Sequence, residues 1–161
     1  MNLFTGQESA ELFGGEVSPA VQRLIDQARS ASAEEAQAAL WTAVGCAPEQ
    51  LPVYYLLYKL HASQGHLDLA LQAARKGLDA AALAAGLAPD WAQVRPGDAD
   101  FSANGPARFW LFTLKALAFI HVRRGEREPA ARALAHLRQL DPQDLLGAGT
   151  IERMLQASVA D

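Results

Sequence analysis

The side chains that could carry out chemistry in this sequence are two histidines and two aspartates. His61 and His121 lie among apolar residues at helical spacing, where an isolated imidazole could ligate a metal or act as a general base. Asp98 and Asp100 follow in a loop with proline and glycine, and paired carboxylates can hold a hard cation. Two carboxylates without further ligands do not predict a metal, and we expect both histidines to pack structurally.

The other reactive side chains form no catalytic pattern. Cys46 is the one cysteine of the chain, so it can complete neither an intrachain disulfide nor a cysteine zinc site, and we expect a buried, inert thiol. His66 and His136 are expected to be solvated. Nucleotide loops, zinc-protease helices, nucleophile elbows and dinucleotide fingerprints are absent from the sequence. We therefore predict no enzymatic activity and no cofactor; the alternative is a small helical enzyme or cofactor-binding protein that uses the histidines and aspartates named above.

Length and composition indicate one helical domain. The chain has 161 residues, enough to bury a core without disulfides or metals. Alanine and leucine are abundant and greatly outnumber valine, isoleucine and threonine. Because the first two residues favour helix and the last three favour strand, we predict an all-α fold.

Charge and hydropathy restrict the partners and the compartment. The net charge is −4, the opposite sign to that of a general nucleic-acid-binding surface. No apolar run approaches the roughly 20 residues that span a bilayer, and no secretory signal is recognisable at the start. With a lone cysteine as well, the sequence predicts a cytoplasmic protein that binds neither nucleic acid nor membrane.

Helix start and stop signals divide the chain into three helix pairs. Ser18 and Pro19 form a start signal before the first amphipathic stretch, and Ser32 with Glu35 has the capping-box pattern before the second. A glycine, such as Gly125, separates the two helices of a later pair. The predicted organisation is a leader at 1–16 and a single domain at 17–161, with hairpins at about 17–48, 51–86 and 106–141, an insertion loop at about 87–105 and a cap at 142–158.

An internal repeat relates these helix pairs. Ala36 and Ala70, each one turn into the second helix of its pair, are offset by a period of about 34 residues. Leu40 and Ala74 follow them at equal offsets. With this period and with small and bulky apolar residues at matching places, the sequence resembles the tetratricopeptide repeat (TPR) family. The matching residues are Tyr54, Leu57, His61, Ala70 and Ala74 in the second pair, Leu114, Leu117, Ala118, His121, Ala130, Leu134 and Pro142 in the third, and Ala36, Leu40 and Pro48 in the first.

The resemblance implies a TPR-like α-solenoid, in which antiparallel helix hairpins stack and bury one another's apolar faces. About three hairpins would be followed by a C-terminal capping helix. Two features depart from the family pattern. Tyr58 occupies a place where the family has a small residue, and the interval from Gly65 to Gly125 is much longer than one period, an excess that we assign to the insertion.

The resemblance also implies a concave groove lined by the first helix of each hairpin. Its lining would be an apolar stripe edged by positive charge, which an amphipathic helix or an extended segment with acidic residues would complement. The alternative is that the apolar members are ordinary core and the cations a solvated edge. The predicted groove residues are Val21, Ile25, Arg29, Tyr55, Lys59, Ser63, Phe112, Lys115, Phe119 and Arg123.

Two segments outside the hairpins could add contacts. The insertion loop contains Trp91, Arg95 and Phe101. These residues could contact a partner; the alternative is that the two aromatic rings pin the loop to the scaffold. The leader combines Leu-Phe pairs at 3–4 and 12–13 with acidic residues. This pattern suggests that it occupies the groove of its own chain or of a neighbour; the alternative is an ordinary N-terminal cap or a disordered segment.

Together these features predict a helical-repeat protein that acts without catalysis. We expect a small adaptor or assembly chaperone that holds a segment of another protein, in a bacterial setting judged from its compactness alone. Besides the enzyme class, a further alternative is a self-associating scaffold, such as a homodimer joined through the groove or the cap.

Overall fold

The computed structural model describes residues 17–159. All regular secondary structure in that part of the chain is helical, which confirms the all-α prediction. A short 3-10 helix, Trp91–Gln93, lies in the insertion. The leader at 1–16 lies outside the described residues. The α-helices are α1 (Pro19–Ser30), α2 (Ala33–Cys46), α3 (Pro52–Ser63), α4 (Leu67–Ala85), α5 (Pro106–Arg123), α6 (Arg127–Leu140) and α7 (Gly149–Ala157).

The first two helices begin where their capping residues require. The Val21 amide donates to Ser18 Oγ at 3.3 Å, and proline at the first helical position removes a donor that would otherwise be unpaired. At α2 the Glu35 amide donates to Ser32 Oγ at 3.3 Å while the Ser32 amide donates to Glu35 Oε2 at 3.2 Å. This reciprocal pair is the capping box that the sequence predicts.

The turn between α3 and α4 has the same backbone hydrogen bond as the turn between α5 and α6. The amide of His66 donates to the His61 carbonyl at 2.9 Å, and the amide of Glu126 donates to the His121 carbonyl at 2.9 Å. Each turn contains a glycine in the left-handed region, with φ of 76° at Gly65 and 74° at Gly125. The second and third pairs are therefore joined internally in the same way.

Extensive packing is mostly between helices that follow each other in the chain. Each described helix from α1 to α6 packs on the helix that follows it, and α7 also contacts α5. One apolar cluster runs through all three pairs, and its largest fully buried members include Trp110, Phe109, Leu40, Leu57 and Leu114. Of the helices in residues 17–159, none has both the length and the apolar character needed to cross a membrane.

α4 makes a close contact with α3 at Gly77, which is buried. A Cβ atom at this position would lie 2.8 Å from Tyr54 Cβ in α3 and 3.7 Å from Phe109 Cε1 in α5. Because Tyr54 Cβ is bonded directly to the backbone, it cannot swing away as the end of a flexible side chain could. The absence of a side chain at Gly77 thus allows α3 and α4 to approach each other this closely.

We predict that Gly77→Ala destabilises the protein although alanine is the better helix former. Relieving the 2.8 Å contact requires α3 to move, and overpacking of this kind costs about 1–3 kcal/mol. Gly45→Ala is the matched control, because a Cβ there meets nothing within 4 Å and should stabilise α2 by about 0.5–1 kcal/mol. Urea unfolding of both variants checks the opposite signs; equal effects would contradict the close approach.

Candidate functional site

The candidate site is a cavity of about 580 Å³ between α3, α5 and α7, called the groove below. Successive turns of α3 and α5 supply two of its sides, and the cap helix α7 with the preceding loop supplies the third. Its lining is Tyr55, Tyr58, Lys59, Ala62, Ser63, Phe112, Lys115, Ala116, Phe119, Ile120, Arg123, Gly147, Thr150, Ile151 and Met154.

The structure brings seven of the ten predicted groove residues together in this one cavity: Tyr55, Lys59, Ser63, Phe112, Lys115, Phe119 and Arg123. They lie at spacings of three, four and seven residues on α3 and α5, which place them on one face of each helix. Whether this face binds a partner stays a prediction.

The three residues predicted from the first hairpin are not part of the groove. Val21 and Ile25 are 1% and 4% exposed and belong to the core, because α2 covers this face of α1. Arg29 is on the outside, where its guanidinium is 3.5 Å from the Asp26 carboxylate. Treating α1 as equivalent to α3 and α5 was wrong here, and the third side of the groove comes from α7 instead.

Sequence reasoning missed the contribution of α7. Ile151 and Met154 line the groove one helical turn apart, and Thr150 and Gly147 complete this side. The apolar spacing of Ile151 and Met154 is visible in the sequence, where it indicates a capping face. It does not reveal that the cap leaves part of that face open toward α3 and α5.

Three cations edge the groove, and each lies over an aromatic ring one turn earlier on its own helix. Lys59 Nζ is 4.6 Å from the centre of the Tyr55 ring, and Lys115 Nζ is 5.5 Å from that of Phe112. The guanidinium carbon of Arg123 is 5.7 Å from the centre of the Phe119 ring. At these distances the face of each ring attracts the cation, so the charges are held at the edge of an apolar surface.

None of these three cations forms an ion pair with a carboxylate of residues 17–159. Arginines elsewhere do so, since Arg124 pairs with Asp68 and Glu126, and Arg138 with Asp144 and Glu152. No carboxylate of residues 17–159 therefore neutralises the positive charge of the groove by a direct ion pair.

The groove cations differ in their surroundings. Lys59 Nζ donates to the Tyr55 hydroxyl at 2.6 Å, and Lys115 Nζ donates to the Leu146 carbonyl at 2.5 Å. Burial lowers the pKa of Lys115, while the nearby Asp144 and Asp141 act in the opposite direction. The Lys115 bond ties α5 to the loop before α7, so this lysine also fixes the third side of the groove.

The base of the groove contains a hydroxyl removed from water. Tyr58 is 4% exposed, and its oxygen, like the buried Thr113 Oγ1, has no well-formed hydrogen bond among the described residues. Burial raises the pKa of Tyr58, an effect that Thr113 partly offsets. The phenol therefore stays protonated across the physiological pH range and carries no negative charge opposite the cations.

The insertion loop is fastened to the scaffold rather than extended from it. Phe101 is buried, with its ring centre 5.7 Å from that of Trp110, which agrees with the interpretation that its ring pins the loop to the scaffold and not with a role as a partner contact. Trp91 is half-buried, with its ring 5.4 Å from that of His136. Arg95 is the member of the predicted loop set that is exposed, and its guanidinium donates to the Ala92 carbonyl at 3.0 Å.

Two sequence expectations about reactive residues are wrong. His136 is buried, not solvated, because its Nε2 lies 2.8 Å from the Val94 carbonyl of the insertion, which covers it. Cys46 is exposed at the C-terminal end of α2.

The residues of the enzymatic alternative are each engaged locally. His121 Nδ1 is 2.5 Å from the Glu126 carboxylate, while His61 is bonded to Trp41. Asp98 accepts from the Arg95 amide at 2.8 Å, and Asp100 accepts from the amide and hydroxyl of Ser102. Over residues 17–159, no three histidine, cysteine, aspartate or glutamate side chains are grouped to hold a metal.

The bond between Trp41 and His61 fixes the protonation state of His61. An indole N–H can only donate, so His61 Nε2, 3.0 Å away, must accept and the ring proton is on Nδ1. Nδ1 is buried and has no hydrogen-bond partner in the described part of the chain. Burial, with a smaller effect of His66, lowers the pKa of His61, in agreement with this neutral state.

We predict that the free energy of unfolding falls as the pH is lowered from 7 to 5. His61 has a lowered pKa in the folded state, so below about pH 6.5 the unfolded state takes up a proton that the folded state does not. One such histidine changes the free energy by at most about 1.4 kcal/mol per pH unit. Urea unfolding at pH 7, 6 and 5 measures the slope, and His61→Gln, which keeps an acceptor for Trp41, should reduce it. An identical slope in the variant would assign the effect elsewhere.

Comparison with known proteins finds a distantly similar sequence. No family model and no solved structure matches this chain. A protein of Azotobacter chroococcum mcd 1, described as an "uncharacterized 19.8 kDa protein in nifW 5' region", is 28% identical over 145 residues. The alignment covers 88% of this chain and 81% of that protein, so the similarity extends well beyond a single helix pair.

Proposed function

We propose that this chain is a TPR-like adaptor or assembly chaperone that acts without catalysis and holds a segment of another protein in the groove. The observation that carries the proposal is the set of three groove cations, each beside an aromatic ring and none paired with a described carboxylate. A segment with alternating acidic and apolar residues would cover the rings and neutralise the cations together.

The two kinds of contact would contribute differently to binding. Apolar surface removed from water contributes about 25 cal/mol per Å² before the costs of association, and the rings of Tyr55, Phe112 and Phe119 supply such surface. Exposed ion pairs contribute only about 0.2–1 kcal/mol each. The aromatic rings would therefore provide most of the affinity, whereas Lys59, Lys115 and Arg123 would select acidic partners and set their orientation.

The repeat architecture is supported by the matched turns of the second and third pairs. The amides of His66 and Glu126 make equivalent backbone bonds, each to the carbonyl of the histidine five positions earlier. Packing between consecutive helices is also what a solenoid requires, since each of its units contacts its neighbours.

The enzymatic alternative has less support than binding. Its histidines and aspartates have separate partners on separate elements, so no hydrogen bond among those described joins these four residues to one another. A groove with apolar walls and cations that pair with no described carboxylate would serve binding directly and does not depend on those groups.

Selection from a displayed library of random 16-residue peptides tests the proposed ligand chemistry. We expect the enriched peptides to be rich in Asp or Glu together with Leu or Phe, because these residues complement the groove. The double variant Lys59→Glu/Arg123→Glu should bind them at least about tenfold more weakly, since tenfold corresponds to about 1.4 kcal/mol and two attractions become repulsions. Fluorescence anisotropy with the enriched peptides measures the change.

A variant of equal charge serves as the control. Arg23→Glu/Lys76→Glu reverses two exposed cations that do not line the groove, so it should keep wild-type affinity. Higher salt should weaken binding to the wild type more than to the groove variant, because salt screens exposed charges. Enrichment of peptides without acidic residues, or equal binding by both double variants, would reject the proposal. Association of the protein with itself through the groove would favour the scaffold alternative.

A further inference from the structure

The segment before α1 has the chemical character that the groove selects. It carries Glu8, Glu11 and Glu16 and has no lysine, arginine or histidine. It also contains Leu-Phe pairs at 3–4 and 12–13. Its acidic residues therefore complement the groove cations, which have no carboxylate partner in the described part of the chain. Its apolar residues complement the aromatic side chains of the groove lining.

The starting point of α1 is close to one end of the groove. The Ser18 amide donates to Gln50 Oε1 at 2.9 Å, and Gln50 precedes the groove residue Tyr55 by five positions. Three of these five steps are helical, so with the length of the Gln50 side chain included the beginning of α1 lies within about 20 Å of Tyr55. Tyr55 and Phe112 are at the same end of the groove, with ring centres 5.9 Å apart.

The preceding segment can reach along the whole groove. From Phe112 to Arg123 the groove follows α5 for about three turns, a distance of about 17 Å. The stretch of chain from Leu3 to Val17, when fully extended, permits a separation of up to about 46 Å. The two Leu-Phe pairs and the carboxylates of Glu8 and Glu11 are therefore within reach of the groove cations.

We propose that residues 1–16 bind in the groove of their own chain and are displaced by the external partner. In this arrangement the Leu-Phe pairs cover the aromatic rings, and Glu8 and Glu11 approach the groove cations. The inference rests on the proposed function, because it assigns to the chain's own segment the ligand chemistry deduced for that partner. Residues 1–16 and the external partner would then compete for the groove, so a partner segment must bind strongly enough to displace residues 1–16.

The covalent connection makes weak binding sufficient. A segment joined by a short tether has an effective concentration in the millimolar range. If the same segment bound with a dissociation constant of about 0.1 mM when free, the tethered form would occupy the groove about 90% of the time. An external ligand would then bind about tenfold more weakly than it binds an open groove.

Carbodiimide crosslinking of the full chain tests where the segment lies. The reagent joins a glutamate carboxylate in contact with a lysine amine as an amide, and the water removed converts the carbodiimide to a urea. The chain has three lysines: Lys59 and Lys115 line the groove, and Lys76 is exposed on α4 outside it. We expect Glu8 or Glu11 to be crosslinked to Lys59 or Lys115 within one molecule, in at least about tenfold higher yield than to Lys76.

Matched variants identify the crosslinked carboxylates. Glu8→Gln/Glu11→Gln should abolish the product, whereas Glu34→Gln/Glu49→Gln, which changes two exposed glutamates of the described region, should leave it intact. Equal crosslinking to Lys76, or no crosslink to a groove lysine, overturns the proposal. Crosslinks found only between two molecules overturn it in favour of a second copy as the occupant.

A binding measurement separates this inference from the proposed function. The full chain with Glu8→Gln/Glu11→Gln and Leu12→Ala/Phe13→Ala should bind a library-selected peptide about tenfold more tightly than the wild type. Unchanged affinity rejects the internal segment but leaves the groove function standing. No peptide binding to either form, with normal folding by circular dichroism, rejects the proposed function itself.

Discussion

The close contact between Gly77 and Tyr54 governs how the central helices are arranged. With no side chain at Gly77, α4 can approach the Tyr54 Cβ position so closely that an added carbon would lie 2.8 Å away. The ring of Phe109 in α5 borders the same point. The close approach of α3 to α4 thus depends on the absence of a side chain at Gly77, and α5, which supplies another side of the groove, packs on the same α4.

Several cations of the described surface contact either carboxylates or aromatic rings. Arg124 and Arg138 are paired with carboxylates and join neighbouring elements, and the Arg124 and His121 contacts lower the pKa of Glu126 to about 2. The groove cations instead lie over aromatic rings of their own helices. Such an arrangement holds positive charge beside an apolar surface without neutralising it, which is what selective binding of an acidic, apolar segment requires.

Features that depend on residues close in sequence were predictable, whereas the burial of a side chain by a segment distant in sequence was not. The capping box of Ser32 and Glu35 and the turn at Gly125 depend on residues close in sequence, and the structure has both. The buried state of His136 depends on Val94, 42 residues away, and nothing in the spacing around His136 indicates that contact. Cys46 was misplaced for the same reason, since exposure at the end of a helix depends on which other elements cover it.

The sequence by itself determined that the chain is helical, which residues share a helix face, and that Tyr55, Lys59, Phe112, Lys115 and Phe119 form stripes of aromatic and cationic side chains. Tertiary structure decided which stripes remain open. Val21 and Ile25 have the same helical spacing but are covered by α2, whereas Ile151 and Met154 of the cap came to line the groove. The physical reason is that helical periodicity follows from the regular turn of one segment, whereas burial depends on which distant segment packs against it.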